Sequence, residues 1–153
     1  LFELLGESSV TIPEIGTVKA TREPPLVFLT SNNTREISDA LKRRCLYHWV
    51  GFPSVERELD IVRLKAPGAS ERLYRQVVEF VQRMRTLDLF KSPGVAETID
   101  WTNALVALNT LQLDPASVQD TLGVLLKHQD DLVKMQSGDT AKLLDELRAK
   151  ALL

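Results

Sequence analysis

The chain of 153 residues carries 19 Lys and Arg against 21 Asp and Glu, a formal net charge of -2, with an apolar fraction of 44%. This composition excludes a disordered tail and gives no electrostatic basis for non-specific nucleic-acid binding, which uses clustered cations to displace counterions from phosphates. No apolar stretch approaches the roughly 20 residues that span a bilayer, and the single cysteine, Cys45, excludes an internal disulfide and fits a reducing, cytoplasmic setting.

The chain opens Leu1-Phe2-Glu3-Leu4-Leu5-Gly6, with neither an initiator methionine nor a signal-peptide pattern, and reads as the last turn of a helix whose start lies upstream. Val10 to Ile12 and Thr17 to Thr21 flank Pro13-Glu14-Ile15-Gly16, the pattern of a β-hairpin whose turn uses Pro for a fixed φ and Gly for an otherwise strained one. Leu26 to Thr30 is apolar on both faces, as expected of a central strand in a covered parallel sheet, and Cys45 to Phe52 is a second such run. Between them Ile37, Ala40 and Leu41 share one face of a short helix. Strand, short helix and strand form a βαβ-like unit, which implies further parallel strands.

After Pro53 the pattern takes a helical period. Ser54 caps a first helix with Glu56 in its first turn and Leu59, Ile61, Val62 and Leu64 inward, ending near Ala66-Pro67-Gly68. A second helix starts around Ser70, with a stripe of Leu73, Val77, Phe80, Val81, Met84 and Leu87. A third runs from about Val95 through Leu111 and buries Ile99, Leu105, Val106, Leu108 and one edge of Trp101. Asp114-Pro115 opens a fourth with Val118, Leu122, Leu125 and Leu126, and Ser137-Gly138-Asp139 opens a last one with Leu143, Leu144 and Leu147. The expected fold is the edge of an α/β domain over residues 1–53 and an all-α bundle over residues 54–153, mostly α taken together.

The segment from Pro24 to Asn33, read with Arg35 to Cys45, resembles the sensor strand and arginine-finger region of an AAA+ ATPase of the MoxR type. Leu4 to Glu7 and Val10 to Pro13 resemble the helix end and hairpin before that strand, and Gly51 to Glu58 resembles the passage into the lid. The likeness covers the first third of the chain by motif and the rest by architecture. It implies that residues 1–53 are the C-terminal strands of a parallel AAA+ sheet and residues 54–153 the helical lid. It further implies ATP and Mg²⁺ as cofactors of the full-length protein, a homo-oligomeric ring, expected as a hexamer, and remodelling or maturation of a partner complex. A von Willebrand factor A domain is the partner type that goes with such proteins.

Asn32 stands where the family has its first sensor, with Thr30 and Ser31 beside it; an amide at the carboxyl end of a central strand can orient water toward a γ-phosphate. The bland reading is an Asn32-Asn33 turn. By the resemblance Arg44 is the expected finger and Arg43 the second choice, since a planar guanidinium crossing to a neighbour's phosphates stabilises transition-state charge; the bland reading is two solvated charges at a helix end. The family's second sensor Arg has no counterpart here: Glu97 and Thr98 occupy its place as low-ranked nucleotide contacts, against an acidic first helical turn that needs no ligand. Trp49, Phe52 and Trp101 read as core or domain-junction residues, Cys45 as a small buried apolar residue and His48 as a satisfied core histidine.

No Gly-x-x-x-x-Gly-Lys-Ser/Thr loop and no strand ending in an acidic pair occurs in the chain. By the resemblance both belong upstream of Leu1, so the expectation is that this polypeptide does not hydrolyse ATP alone. The rival reading is a non-catalytic helical interaction module or DNA-associated adaptor whose short β segment is a docking hairpin.

Overall fold

The computed structural model describes residues 2–21, 23, 26–31 and 36–151. Helices dominate them: α1 (Phe2–Glu7), α2 (Asp39–Lys42), α3 (Val55–Lys65), α4 (Glu71–Met84), α5 (Val95–Ala107), α6 (Pro115–Leu125), α7 (Gln129–Lys134) and α8 (Thr140–Ala151). Strands β1 (Ser9–Ile12) and β2 (Gly16–Lys19) form the one sheet among the described residues. No helix there is long and apolar enough to cross a membrane. The chain divides into two compact units, one ending at Val50 and the other beginning at Gly51.

In the first unit the hairpin forms as the sequence implies. β1 and β2 are antiparallel, with Val10 opposite Val18 and Thr11 opposite Thr17, and Gly16 takes φ 80 where the turn re-enters the ladder. The Thr11 and Thr17 hydroxyls meet at 3.1 Å, and the Glu3 carboxylate of α1 accepts from the Thr11 amide at 2.9 Å, which ties the outer edge of β1 to the preceding helix. The two apolar runs behave differently from the expectation. Leu26–Ser31 and Leu46–Val50 carry no strand pairing, and among the described residues no parallel sheet is present. Leu26 is 84%, Phe28 82% and Val50 82% exposed, and Leu46 is fully exposed. The physical reason is that a strand exists only through its neighbours: without partners about 4.8 Å away, its amides and its two apolar faces have nothing to bind.

The second unit is a helical bundle with its own core. Ser54 caps α3 by accepting from the Arg57 amide at 3.3 Å, Ser70 caps α4 through the Leu73 amide at 3.1 Å, and Asp114 caps α6 ahead of Pro115. The α4 stripe Leu73, Val77, Phe80, Val81 and Met84 packs with Trp101 and Leu105 of α5, Val118 and Leu122 of α6, and Leu143 and Leu144 of α8. Leu59 and Val62 of α3 form a second cluster with Tyr74 and Val78. Trp101 is wholly buried, tilted against Phe80 at 5.4 Å between ring centroids, and its indole N–H donates to Thr121 Oγ1 at 2.7 Å.

Three details depart from the sequence pattern. Leu64 and Leu108 point to solvent. α5 stops at Ala107, and Asn109 takes φ 55, so the periodicity extrapolated to Leu111 outruns the helix. α8 begins just past Ser137-Gly138-Asp139 as expected, with Gly138 at φ 127, a backbone conformation that suits glycine, but a further short helix, α7, precedes it.

Candidate functional site

Asn32, the expected sensor, lies outside the described residues. Thr30 and Ser31 are exposed and sit in backbone without strand pairing. Arg43 is the C-terminal cap residue of α2, and Arg44 follows it; both are exposed. The Arg44 guanidinium folds back and donates to the Ala40 carbonyl at 2.9 Å, the place where a helix end favours a cation. It also lies near the end of α1, where a Cβ added to Gly6 would stand 3.7 Å from Arg44 Nε. Cys45 is half-buried, whereas His48, Tyr47 and Trp49 are exposed, so these three are surface residues and not core.

In the helical unit Glu97 and Thr98 begin α5 and serve its construction. Glu97 Oε2 accepts from the Gly94 amide at 2.9 Å, closing the helix start as an acidic first turn does. Thr98 has no exposed surface, and its hydroxyl lies 2.8 Å from Glu58 Oε1 and 3.0 Å from the Gly94 carbonyl. Both side chains are thus engaged in building the start of α5.

Thr98 leads to a buried polar centre that sequence reasoning missed. Glu58 of α3 is completely buried, and Arg85, just past α4, is 5% exposed. Their contact is bidentate, with Arg85 Nη1 to Glu58 Oε2 at 2.7 Å and Nη2 to Oε1 at 2.8 Å. Gln82 Nε2 adds a bond to Glu58 Oε2 at 2.8 Å and another to the Pro53 carbonyl at 3.0 Å. Arg85 Nε donates to the Pro93 carbonyl at 2.7 Å, and its guanidinium carbon stands 4.3 Å from the centre of the Phe52 ring. Four separate segments thus meet on one ion pair. Among the described residues no buried side-chain nitrogen or oxygen lacks a hydrogen-bond partner, so the centre is closed and offers no open valence to a ligand.

The sequence signal for this centre was available. Glu58 falls in the stripe of Leu59 and Val62, and Arg85 extends the stripe of Val77, Val81 and Met84. Opposite charges at inward positions of adjacent helices are expected to pair, because a lone buried charge is too costly.

A second buried carboxylate is also structural. Asp131, 3% exposed, accepts from the Phe90 amide at 2.8 Å and the Lys91 amide at 3.2 Å, and so fixes the loop before α5. On the surface, α3 and α4 bound a shallow groove of about 370 Å³ floored by Val55 and Leu59. At its rim Arg63 pairs with Asp60 at 3.1 Å and with Glu71, which also takes Arg75. The Arg63 guanidinium, ahead of Arg75, holds the Glu71 carboxyl below the usual carboxylate range.

No protein-family model matches this chain, and neither a curated protein nor a solved structure matches it. Among the described residues no group of three His, Cys, Asp or Glu is placed to hold a metal ion.

Proposed function

We propose that the chain is the sensor-to-lid part of a MoxR-type AAA+ ATPase, which in the full-length protein couples ATP binding and hydrolysis in a ring to remodelling of a partner protein complex. The observation that carries the reading is the state of the two apolar runs. Leu26, Phe28, Leu46 and Val50 are exposed on either side of a short helix that ends in Arg43-Arg44, and a self-contained helical bundle follows immediately. Burying such side chains is worth about 1.5–3 kcal/mol each. Four left in water are what two central strands look like when the rest of their sheet is elsewhere. On this reading the missing strands, the phosphate loop and the Mg²⁺ ligands belong to other parts of the protein, and Asn32, Thr30 and Ser31 lie at the nucleotide end of the sheet.

The described residues do not themselves make a phosphate cradle. Glu97 and Thr98 are engaged at the start of α5, and this reading assigns them no nucleotide contact. What the chain offers is Arg44, with Arg43 beside it, as a cation to reach a neighbouring subunit's nucleotide. ATP hydrolysis by full-length rings is the measurement. Arg44→Ala rings should lose most activity, and mixing them with subunits defective in the phosphate loop should restore part of it, because each defective partner then supplies what the other lacks. Full activity of the Arg44→Ala, Arg43→Ala ring overturns the finger assignment. Robust turnover by the purified 153-residue chain overturns the wider reading.

A further inference from the structure

The first residues of the helical unit are held by side chains at the end of α4 and just past it, 29 and more residues later. Phe52 lies beneath the Arg85 guanidinium, and the Pro53 carbonyl accepts from Gln82. Neither contact is sealed by burial, since Phe52 remains 55% exposed and Pro53 is only half-buried. Both holding groups are nevertheless firmly set. The two protons of the Gln82 amide are divided between Glu58 and Pro53, and the plane of Arg85 is fixed by two bonds to Glu58 and one to the Pro93 carbonyl.

This asymmetry has a physical consequence. If residues 51–53 swing away about Ser54, which keeps its cap on α3, the molecule loses one hydrogen bond and one ring contact. The Glu58–Arg85 pair keeps both of its own bonds, Thr98 keeps its bond to Glu58, and the apolar core is untouched. We propose that Gln82 and Arg85 form a latch that closes the Gly51–Pro53 strap onto the helical unit and can release it with the bundle still folded. Glu58 is the positioning residue of this latch because it orients both arms.

Backbone ¹⁵N relaxation on the whole chain tests it. In the wild type the Phe52 amide is expected to be rigid, with an order parameter near about 0.85. Gln82→Ala, which leaves the ion pair intact, should take it below about 0.6 while the amides of Ser54, Leu59, Val62 and Trp101 keep their wild-type values. Phe52→Leu, which retains bulk but removes the ring face, should lower it part of the way. Unchanged order parameters in Gln82→Ala and Phe52→Leu overturn the latch. Loss of order throughout α3 and α5 in Gln82→Ala also overturns it, for the strap would then be part of the core and not separable from it.

Discussion

Replacing Glu58 by Gln is the most informative perturbation of the helical unit. In the wild type each carboxylate oxygen accepts two bonds, Oε1 from Arg85 Nη2 and Thr98 Oγ1, and Oε2 from Arg85 Nη1 and Gln82 Nε2. An amide offers one oxygen, so two of these four donors face an N–H₂ group in its place, and the Arg85 charge, 5% exposed, is left without its counter-ion. Removing one partner of a buried pair costs about 3–5 kcal/mol. Against a domain stability of about 5–15 kcal/mol this is a large share of the whole margin. Urea unfolding followed by helical circular dichroism is the assay; with an m-value of about 1–3 kcal/mol/M, the midpoint should fall by at least about 1 M. The paired replacement Glu58→Leu with Arg85→Met should recover most of that loss, because it removes both desolvation costs together. A Glu58→Gln midpoint within about 0.3 M of wild type, or a double variant no better than the single one, would refute the assignment of a buried, mutually dependent pair.

Thr121→Val leaves the Trp101 indole N–H, 2.7 Å from its acceptor in the wild type, without a partner in the core; the expected loss is about 1–3 kcal/mol in thermal unfolding, and Thr121→Ser should restore most of it. Asp131→Ala removes the acceptor of the Phe90 and Lys91 amides, so hydrogen exchange at those two positions should accelerate while Leu105 and Leu122 stay protected. Glu71 has its folded pKa depressed by Arg63, so its contribution is present above the ordinary carboxylate range and is lost as pH falls through the lowered value. The midpoint difference between wild type and Glu71→Gln should therefore be measurable at neutral pH, close on acidification, and shrink with added salt because the pair is exposed.

Much of the helical unit was legible because local signals and periodicity agreed there. Ser54, Ser70 and Asp114-Pro115 mark helix starts by a mechanism that needs only neighbouring amides, and the stripes of α4 and α6 repeat for three turns. The errors arose where a helix ended. Leu108 continues the spacing of Trp101 and Leu105, but α5 has already terminated, and the spacing no longer describes a helical face. α7 is six residues long and acidic in its first turn, with little apolar stripe to read. The two strands inferred from Leu26–Thr30 and Cys45–Phe52 are a different matter, since apolar content signals a tendency that only partner strands can realise. Of the candidate site residues, Arg43 and Arg44 were placed at a helix end by sequence and are found there, while Glu97 and Thr98 were read from their place in a motif. Their true partners, Gly94 and Glu58, differ in kind: one is a neighbour three residues away, the other lies 40 residues distant and was invisible to any local rule.

The exposed run at Leu26-Val27-Phe28-Leu29-Thr30-Ser31 bears on how the polypeptide behaves in concentrated solution. Six consecutive residues without charge, Pro or Gly, rich in strand formers and outside the one described sheet, meet the requirements of a segment that seeds cross-β association. Any partner that covered this segment would suppress that association as well. A single charge at Phe28, as in Phe28→Lys, should raise the concentration at which the isolated chain precipitates and leave the melting of the helical unit unchanged, since Phe28 takes no part in the helical unit's core.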